Sequence, residues 1–337
     1  MPIMGAYIKP TPQLVDKAKN AGFHEVYSPP SKEVAKRAEE LGLFYAPLIW
    51  VPETKDPRLG VVNIFGSRKL FAFNNSGCPA NPLVQESALK RIENAVSLTN
   101  ANTVILDALR YPSPYDMETF FSCFCEHCQE FMKSMGINPH ELKNSLKLLL
   151  KEIHKYPYLP PKFMNSFYSY ILFKQTIIEN FAAQIHKLAE NLNIKLWAAT
   201  FPPSLAWMVG QNYSALSKYI DEFHIMLYHK CNGAACLNKE IASLINLLQK
   251  TINKDRKTII ISLSKLLGID IQEDPAILEN KGININILIR EFETAKINLE
   301  EKSIPLFLHY GDITKHPESP FTYKLLARKI TLFIIST

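Results

Sequence analysis

Short apolar runs alternate with amphipathic helical patterns along most of the chain. Strands are predicted where apolar and β-branched residues cluster, at residues 3–8, 25–27, 44–50, 103–107, 196–200, 223–227, 258–262 and 305–308. Regular alternation of strands and helices predicts a parallel sheet. Eight such repeats in 337 residues favour a closed (β/α)8 TIM barrel, an α/β fold, forming a single domain over residues 1–337.

Two segments are longer than a minimal barrel needs. Residues 51–81 follow the third predicted strand, and residues 108–165 follow the fourth. Loops that follow the strands of such a barrel leave it at the carboxyl end of the sheet, where barrel enzymes build their active sites. We therefore expect both insertions to lie beside a binding face.

Four of the six cysteines fall in these two segments, at Cys78, Cys123, Cys125 and Cys128. Clustered thiolates favour a tetrahedral zinc ion, and a closed four-ligand site would be structural because it leaves no open position for substrate. His127 is an alternative fourth ligand if Cys78 lies too far away. The other interpretation is a group of free core or reactive thiols.

Composition and charge narrow the class of protein. The chain is 47% hydrophobic and 21% charged, as in ordinary globular proteins, and its net charge of +6 is not gathered into a basic block. Nucleic-acid binding, including a zinc-knuckle function, is therefore disfavoured. No signal peptide or bilayer-length apolar run is recognisable, so we expect a cytoplasmic protein without membrane contact.

The strongest candidate for catalysis is Asp107, which ends an apolar predicted strand, with Arg110 close behind it. Arg110 would fix that carboxylate or a ligand oxygen through paired hydrogen bonds. The alternative is a structural ion pair that ties down a loop. Further carboxylates expected at the same rim are Asp116, Glu118 and Asp312.

Aromatic residues also follow the predicted strand ends. Flat rings with polar edges suit sugars, whose C–H faces pack against aromatic planes. The same rings could instead cap the barrel core. Together with Arg110 and His309, the candidate ligand-binding residues are Trp50, Tyr111, Trp197, Trp207, Tyr228 and Tyr310.

The two remaining cysteines, Cys231 and Cys236, lie close to His229 after the sixth predicted strand. A second metal held by these three residues is one hypothesis. Unpaired thiols or a local disulfide are the others.

Two stretches resemble known glycosidases. Cys78-Pro79-Ala80-Asn81-Pro82 and the run from Cys123 to Phe131 resemble the zinc-bearing β-galactosidases of glycoside hydrolase family 42, in which four matching cysteines hold zinc beside the barrel mouth. The run from Leu106 to Pro112 is similar to the Asp-x-Ile-Arg-Tyr/Phe-Pro signature of uncharacterised glycosidase-like barrels. The resemblance implies zinc ligands at the four cysteines.

The catalytic residues of family 42 do not carry over. That family has an Asn-Glu pair on the fourth strand, where this chain has Asp107-Ala108, and a glutamate after the seventh, where the predicted strand reads Ile261-Ser262-Leu263. We therefore predict a glycoside hydrolase-like enzyme acting on a carbohydrate, with Asp107 as one carboxylate and Asp312, Asp116 or Glu118 as the second. The alternative is a non-catalytic barrel that binds carbohydrate or another polar ligand; sugar, linkage and oligomeric state stay open.

Overall fold

A computed structural model describes residues 2–152, 161–251, 255–271, 274–310 and 329–335. Eight parallel strands close into a barrel, so the predicted fold class is confirmed. The barrel strands are β1 (Ile3–Tyr7), β2 (Glu25–Ser28), β3 (Phe44–Trp50), β6 (Thr103–Asp107), β7 (Lys195–Thr200), β8 (Glu222–Met226), β9 (Ser303–Tyr310) and β10 (Lys329–Ile335); a separate hairpin supplies β4 (Val61–Val62) and β5 (Arg68–Lys69). Around the ring the barrel strands pair in the order β1-β10-β9-β8-β7-β6-β3-β2.

Helices surround the barrel, and most begin with a proline or a capping side chain. Ser31, for example, accepts a hydrogen bond from the backbone N–H of Val34 at the start of the second helix. The described residues contain α1 (Pro12–Asn20), α2 (Lys32–Glu40), α3 (Pro82–Thr99), α4 (Met117–Phe120), α5 (Glu126–Ser134), α6 (Pro139–Glu152), α7 (Pro161–Leu192), α8 (Pro203–Ala206), α9 (Tyr213–Leu216), α10 (Leu237–Thr251), α11 (Arg256–Leu267), α12 (Pro275–Lys281) and α13 (Ile285–Leu299).

The predicted seventh strand is wrong, because residues 258–262 lie inside helix α11. Burial in that helix recurs every four residues, at Ile259, Leu263 and Leu267, whereas Ile261 is 46% exposed. The carboxylate of Asp255 caps the helix by accepting from the backbone N–H of Thr258. A run of β-branched residues thus adopts a helix because one helical face packs against the core.

The last two barrel strands shift accordingly. The run at residues 305–308 belongs to β9, the seventh barrel strand, and the eighth is β10, which was not predicted. His309 and Tyr310 therefore end a strand that pairs with β8 and β10 and not with β1.

A buried ionic cluster fills the amino-terminal end of the barrel. The Nζ atom of Lys329 lies 2.6 Å from carboxylate oxygens of both Glu25 and Glu222, and 3.6 Å from the ring centroid of Trp197. Burial opposes ionisation of Glu222, but hydrogen bonds from His224 and Lys329 outweigh it and hold its pKa at about 2. All of these charges have partners, as buried charges must.

The two insertions leave the barrel side by side, because β3 and β6 are neighbours in the sheet. The segment after β3 carries the β4–β5 hairpin, and the segment after β6 carries α4, α5 and α6. Backbone hydrogen bonds join them, from Ile64 to Phe121 (3.0 Å) and from Phe124 to Val62 (2.7 Å). Of the helices described, none is both long and apolar enough to cross a membrane.

Candidate active site and metal centre

A cavity of about 440 Å³ opens at the carboxyl end of the barrel strands. Trp50 and Asp107 are the last residues of β3 and β6, and both line it. Tyr228 lines it from just beyond β8, and Leu308 and Phe333 do so from β9 and β10. Its volume falls in the range of about 300–1,000 Å³ that is usual for small-molecule sites.

Asp107 is half-buried in this cavity, where the backbone N–H of Ala108 donates to its Oδ1 atom at 2.7 Å. Burial raises the pKa of the Asp107 carboxyl, although the Arg110 charge and the Ala108 hydrogen bond oppose that rise. A carboxyl whose pKa is moved toward neutrality is suited to exchange a proton with a ligand. The geometry thus permits an acid or base role at this position.

Arg110 is almost fully buried beside the same cavity. Its guanidinium donates to the carbonyl oxygen of Tyr111 at 2.9 Å and lies 4.9 Å from the ring centroid of Phe201. Burial lowers the pKa of Arg110, and the nearby carboxylates of Glu240 and Asp107 favour its charged form. Arg110 therefore brings a positive charge to the wall of the cavity, next to Asp107.

The loop from Cys231 to Cys236 forms part of the wall of the cavity. These two cysteines form a disulfide, which confirms one of the alternatives raised by the sequence; the hypothesis of a second metal with His229 is wrong, because the thiols are not free to bind a metal. Fully buried Glu240 fixes this loop by accepting from the backbone N–H of Ala235 at 2.9 Å, and it also accepts from the Ser113 hydroxyl at 2.7 Å. Burial raises the pKa of Glu240 to about 7.

Several aromatic residues predicted at the rim lie elsewhere. Tyr111 is fully buried, with its hydroxyl 3.6 Å from the sulfur of Cys128. Trp197 lies inside the barrel at its amino-terminal end, where it contacts Lys329. The Trp207 indole donates to the Ser204 carbonyl at 2.8 Å, and its ring contacts Phe167. The prediction that Tyr111 and Trp197 line the pocket is therefore wrong. Among the described residues, Trp207 does not line it either.

Of the other candidate carboxylates, two already have hydrogen-bond or ion-pair partners, and the third lies outside the described residues. Asp116 caps helix α4, accepting from the backbone N–H of Glu118 at 3.1 Å and from the hydroxyl of Thr119 at 2.7 Å. Glu118 forms an ion pair with Lys69 at 2.5 Å. Asp312 lies outside the described residues, two positions beyond the end of β9 in the sequence.

The four clustered cysteines meet in a buried group. Cys78 lies before helix α3, Cys125 immediately precedes α5, and Cys128 is in its first turn. The sulfur of Cys78 is 3.4 Å from that of Cys128 and 3.7 Å from that of Cys125, and all four sulfurs lie within 4.8 Å of one another. A tetrahedron with metal–sulfur distances of about 2.3 Å has sulfur separations of about 3.8 Å, so this group could hold a metal ion.

Polar groups around the sulfurs suit thiolates. The backbone N–H of Val62 donates to the sulfur of Cys123 at 3.3 Å. Lys174 is fully buried nearby on α7, and its Nζ atom donates to the carbonyl oxygens of Phe120 (3.1 Å) and Met208 (3.4 Å). Burial lowers the pKa of Lys174 to about 7, and the negative charge of Cys123 and Cys128 works in the opposite direction. This ammonium group would offset part of the charge of a metal tetrathiolate.

Sequence reasoning missed three residues of this region, namely Phe73, Glu240 and Lys174. Phe73 is 71% exposed at the mouth of the pocket, and its backbone has a left-handed conformation. Glu240 and Lys174 are charged residues that face inward from helices α10 and α7. In the sequence both have the spacing of ordinary helix-surface residues, so no clear signal marked them.

Several solved structures resemble this chain in fold. The chain is similar to the PgaB (BpsB) glycoside hydrolase domain from Bordetella bronchiseptica, with a TM-score of 0.59 and 11% identity over 99% of this chain and 94% of that chain. A β-galactosidase from Marinomonas ef1 has a TM-score of 0.47 and 7% identity, over 66% of this chain and 40% of that chain. The β-amylase catalytic domain from Paenibacillus polymyxa has a TM-score of 0.46 and 12% identity, over 98% of this chain and 92% of that chain. No protein-family model and no curated protein matches the sequence.

At these identities the likeness concerns the fold alone, since one barrel fold serves many unrelated reactions. Fold and pocket together define a closed parallel barrel with a candidate active site at its carboxyl end and a four-cysteine group beside it.

Proposed function

We propose that the protein is a glycoside hydrolase-like enzyme that acts on a carbohydrate through Asp107. The observation that carries the proposal is the position of this carboxyl at the carboxyl end of the barrel, in a cavity that also contains the Trp50 and Tyr228 rings. Hydrolysis of a glycosidic bond requires a carboxylic acid to protonate the leaving oxygen and a second carboxylate on the other side of the bond. The raised pKa of Asp107 supports the acid role.

The surrounding residues have supporting roles in this proposal. The rings of Trp50 and Tyr228 would pack against the apolar face of a sugar. The positive charge of Arg110 would favour the ionised form of Asp107, because it opposes the rise in carboxyl pKa that burial causes. His309 and Tyr310, at the end of β9, remain candidate contacts for sugar hydroxyls.

We propose Asp312 as the second carboxylate. It follows the end of β9, and Leu308 of that strand lines the pocket. Asp116 and Glu118 are weaker candidates, because a helix cap and an ion pair already engage their oxygens.

Substitution tests this assignment. Asp107→Asn should lower turnover of a panel of aryl glycosides by about 10²- to 10⁴-fold, since it removes the exchangeable proton but little volume. Asp312→Asn should produce a comparable loss. Asp56→Asn is a matched control, because Asp56 lies in the first insertion and pairs with Arg58 away from the cavity. Full activity of folded Asp107→Asn would contradict the proposed mechanism.

A non-catalytic carbohydrate-binding barrel is the second candidate function. The observation that favours it is that Asp107 supplies the only carboxylate among the described residues that line the cavity. Wild-type protein that binds sugars but cleaves none of the panel would decide for this function.

We also propose that the ion held by Cys78, Cys123, Cys125 and Cys128 is zinc, and that its role is structural. Zinc accepts four thiolates in a tetrahedron without a preference from d-electrons, and a site with four protein ligands has no open position for chemistry. A cytoplasmic location stays a prediction: clustered metal thiolates suit a reducing compartment, whereas the Cys231–Cys236 disulfide is typical of an oxidising one.

A further inference from the structure

A second cavity, of about 250 Å³, lies next to the pocket that contains Asp107. Its walls come from residues 70–74 of the first insertion and residues 112–119 of the second. The two cavities share Phe73, Arg110 and Ala234, so they adjoin each other along these residues. The mouth of the barrel therefore offers two adjacent compartments.

Phe73 stands on the boundary between these compartments. Its ring is 71% exposed, and its centroid lies 6.3 Å from that of Trp50. Across the opening, a Cβ atom added to Gly233 would lie only 3.2 Å from the Cζ atom of Phe73. The Phe73 ring and Gly233 of the disulfide loop therefore lie close together.

The backbone holds Phe73 at this place in an uncommon conformation. Ala72, Phe73 and Asn74 have φ angles of 43°, 62° and 57°, which are left-handed values that residues other than glycine rarely adopt in succession. Backbone N–H groups of Asn75 and Ser76 close the turn by donating to the Phe71 carbonyl, at 3.2 and 3.1 Å. A strained turn that exposes a large apolar ring is more often found at a ligand site than in a purely structural loop.

We propose that the second cavity is an additional sugar subsite, and that Phe73 is the residue between the two subsites over which a linear oligosaccharide passes. This inference rests on the proposed carbohydrate function and specifies its substrate as a chain of several sugar units. One unit would occupy the cavity with Asp107, and the next would pack on Phe73 and enter the cavity beside Pro112 and Tyr115. An aromatic face is suited to this role because it packs against successive rings without demanding one hydroxyl pattern.

The chain contains a matched control for Phe73. Phe65 lies in the same insertion and is 72% exposed, yet it is absent from the described lining of both cavities. Phe65→Ala and Phe73→Ala therefore remove the same apolar area from the same segment. Both rings are exposed, so neither variant should alter the thermal stability of the intact protein appreciably.

The test titrates the full-length protein with cello-, chito- and malto-oligosaccharides of one to six units, with tryptophan fluorescence and calorimetry as readouts. In the series that binds, we expect affinity to rise about tenfold or more from one unit to four. Phe73→Ala should abolish most of this gain in affinity with chain length, whereas Phe65→Ala should change neither the gain nor the affinity for the monosaccharide.

Two outcomes would overturn the inference, and they can be told apart. If the monosaccharide binds but affinity does not rise with chain length, or if Phe73→Ala weakens all lengths equally, the second subsite is refuted while the proposed function stands. If wild-type protein binds no member of any series, both this inference and the carbohydrate function are refuted.

Discussion

Replacing Cys78 by serine removes one of the four sulfurs and with it the cross-link that a metal would form between the two insertions, in addition to their backbone hydrogen bonds. Cys78 and Cys128 are 50 residues apart in sequence. If the metal acts as a cross-link, closing a loop of this length stabilises the folded state by about 4 kcal/mol at 25 °C in the chain-entropy model. Unfolding of 337 residues at about 2.1 cal/mol/K each converts this to a fall of about 6 °C in Tm.

The assay combines metal content with calorimetry. Freshly purified wild-type protein should contain one zinc ion per chain, and Cys78→Ser should contain much less. A strong chelator should lower the Tm of the wild type to about that of the variant, because both have lost the same cross-link. The chelator should leave the Tm of Cys78→Ser itself unchanged.

The disulfide provides the control for this experiment. The Cys231–Cys236 loop spans only five residues, so its cross-link stabilises by about 2 kcal/mol in the same model. Replacing both of these cysteines by serine should leave zinc content and the effect of the chelator as in the wild type. Wild-type protein purified without metal, with a Tm indifferent to chelator, would refute the metal cross-link.

Two further predictions concern buried charges. Lys174→Met should weaken zinc binding by about 10- to 100-fold in competition with a chromophoric chelator, because it removes the ammonium near the thiolates. Lys143→Met, which removes a lysine over the Phe124 ring, should not weaken it. Burial raises the pKa of Glu291 to about 7, so the folded state retains a proton that the unfolded state loses above about pH 4.5, and stability falls as pH rises from 4.5 to 7. In urea denaturation, the free energy of unfolding of Glu291→Gln should not show this fall, which is on the order of 3 kcal/mol for the wild type. Equal pH profiles of stability for the variant and the wild type would contradict the prediction.

The barrel could be predicted because alternation of strands and helices is a strong pattern over a whole chain. The prediction was wrong at residues 258–262 because β-branched residues also fit a helix that packs on one face. The signals for that helix were present, with Asp255 before it and Gly268 after it at φ 69°. In the prediction, the β-branched composition of residues 258–262 outweighed these helix signals. In the folded protein, packing of one helical face against the core decides for the helix.

The four-cysteine group could be predicted because cysteine is rare in this chain and metal sites require thiolates to be clustered. The sequence left His127 open as the fourth ligand, because three of the cysteines lie together and Cys78 is distant. Only the adjacency of β3 and β6 in the sheet brings the Cys78 segment to the others. A long-range contact of this kind is set by topology, which local spacing does not contain.

The lining of the cavity could be predicted in part. Asp107, Trp50 and Tyr228 follow from their places at strand ends, since parallel strands deliver their last residues to one face. Phe73 could not be found in this way, because its exposure depends on left-handed backbone at residues 72–74 and no glycine there indicates such a turn. Its ring also lies beside Gly233, which is 160 residues further along the chain, and proximity over this range is set by the fold.

Trp197 shows why a strand alone does not determine which end of a barrel a side chain serves. It is the third residue of β7 and pairs in register with Glu222, the first residue of β8, so it belongs to the amino-terminal end. There its ring meets Lys329, whose strand was not predicted, and so the cation that explains a buried tryptophan was missing. The two ends of this barrel thus differ in character. Paired charges around Lys329 fill one end, while at the other Asp107 faces a cavity and has a raised pKa.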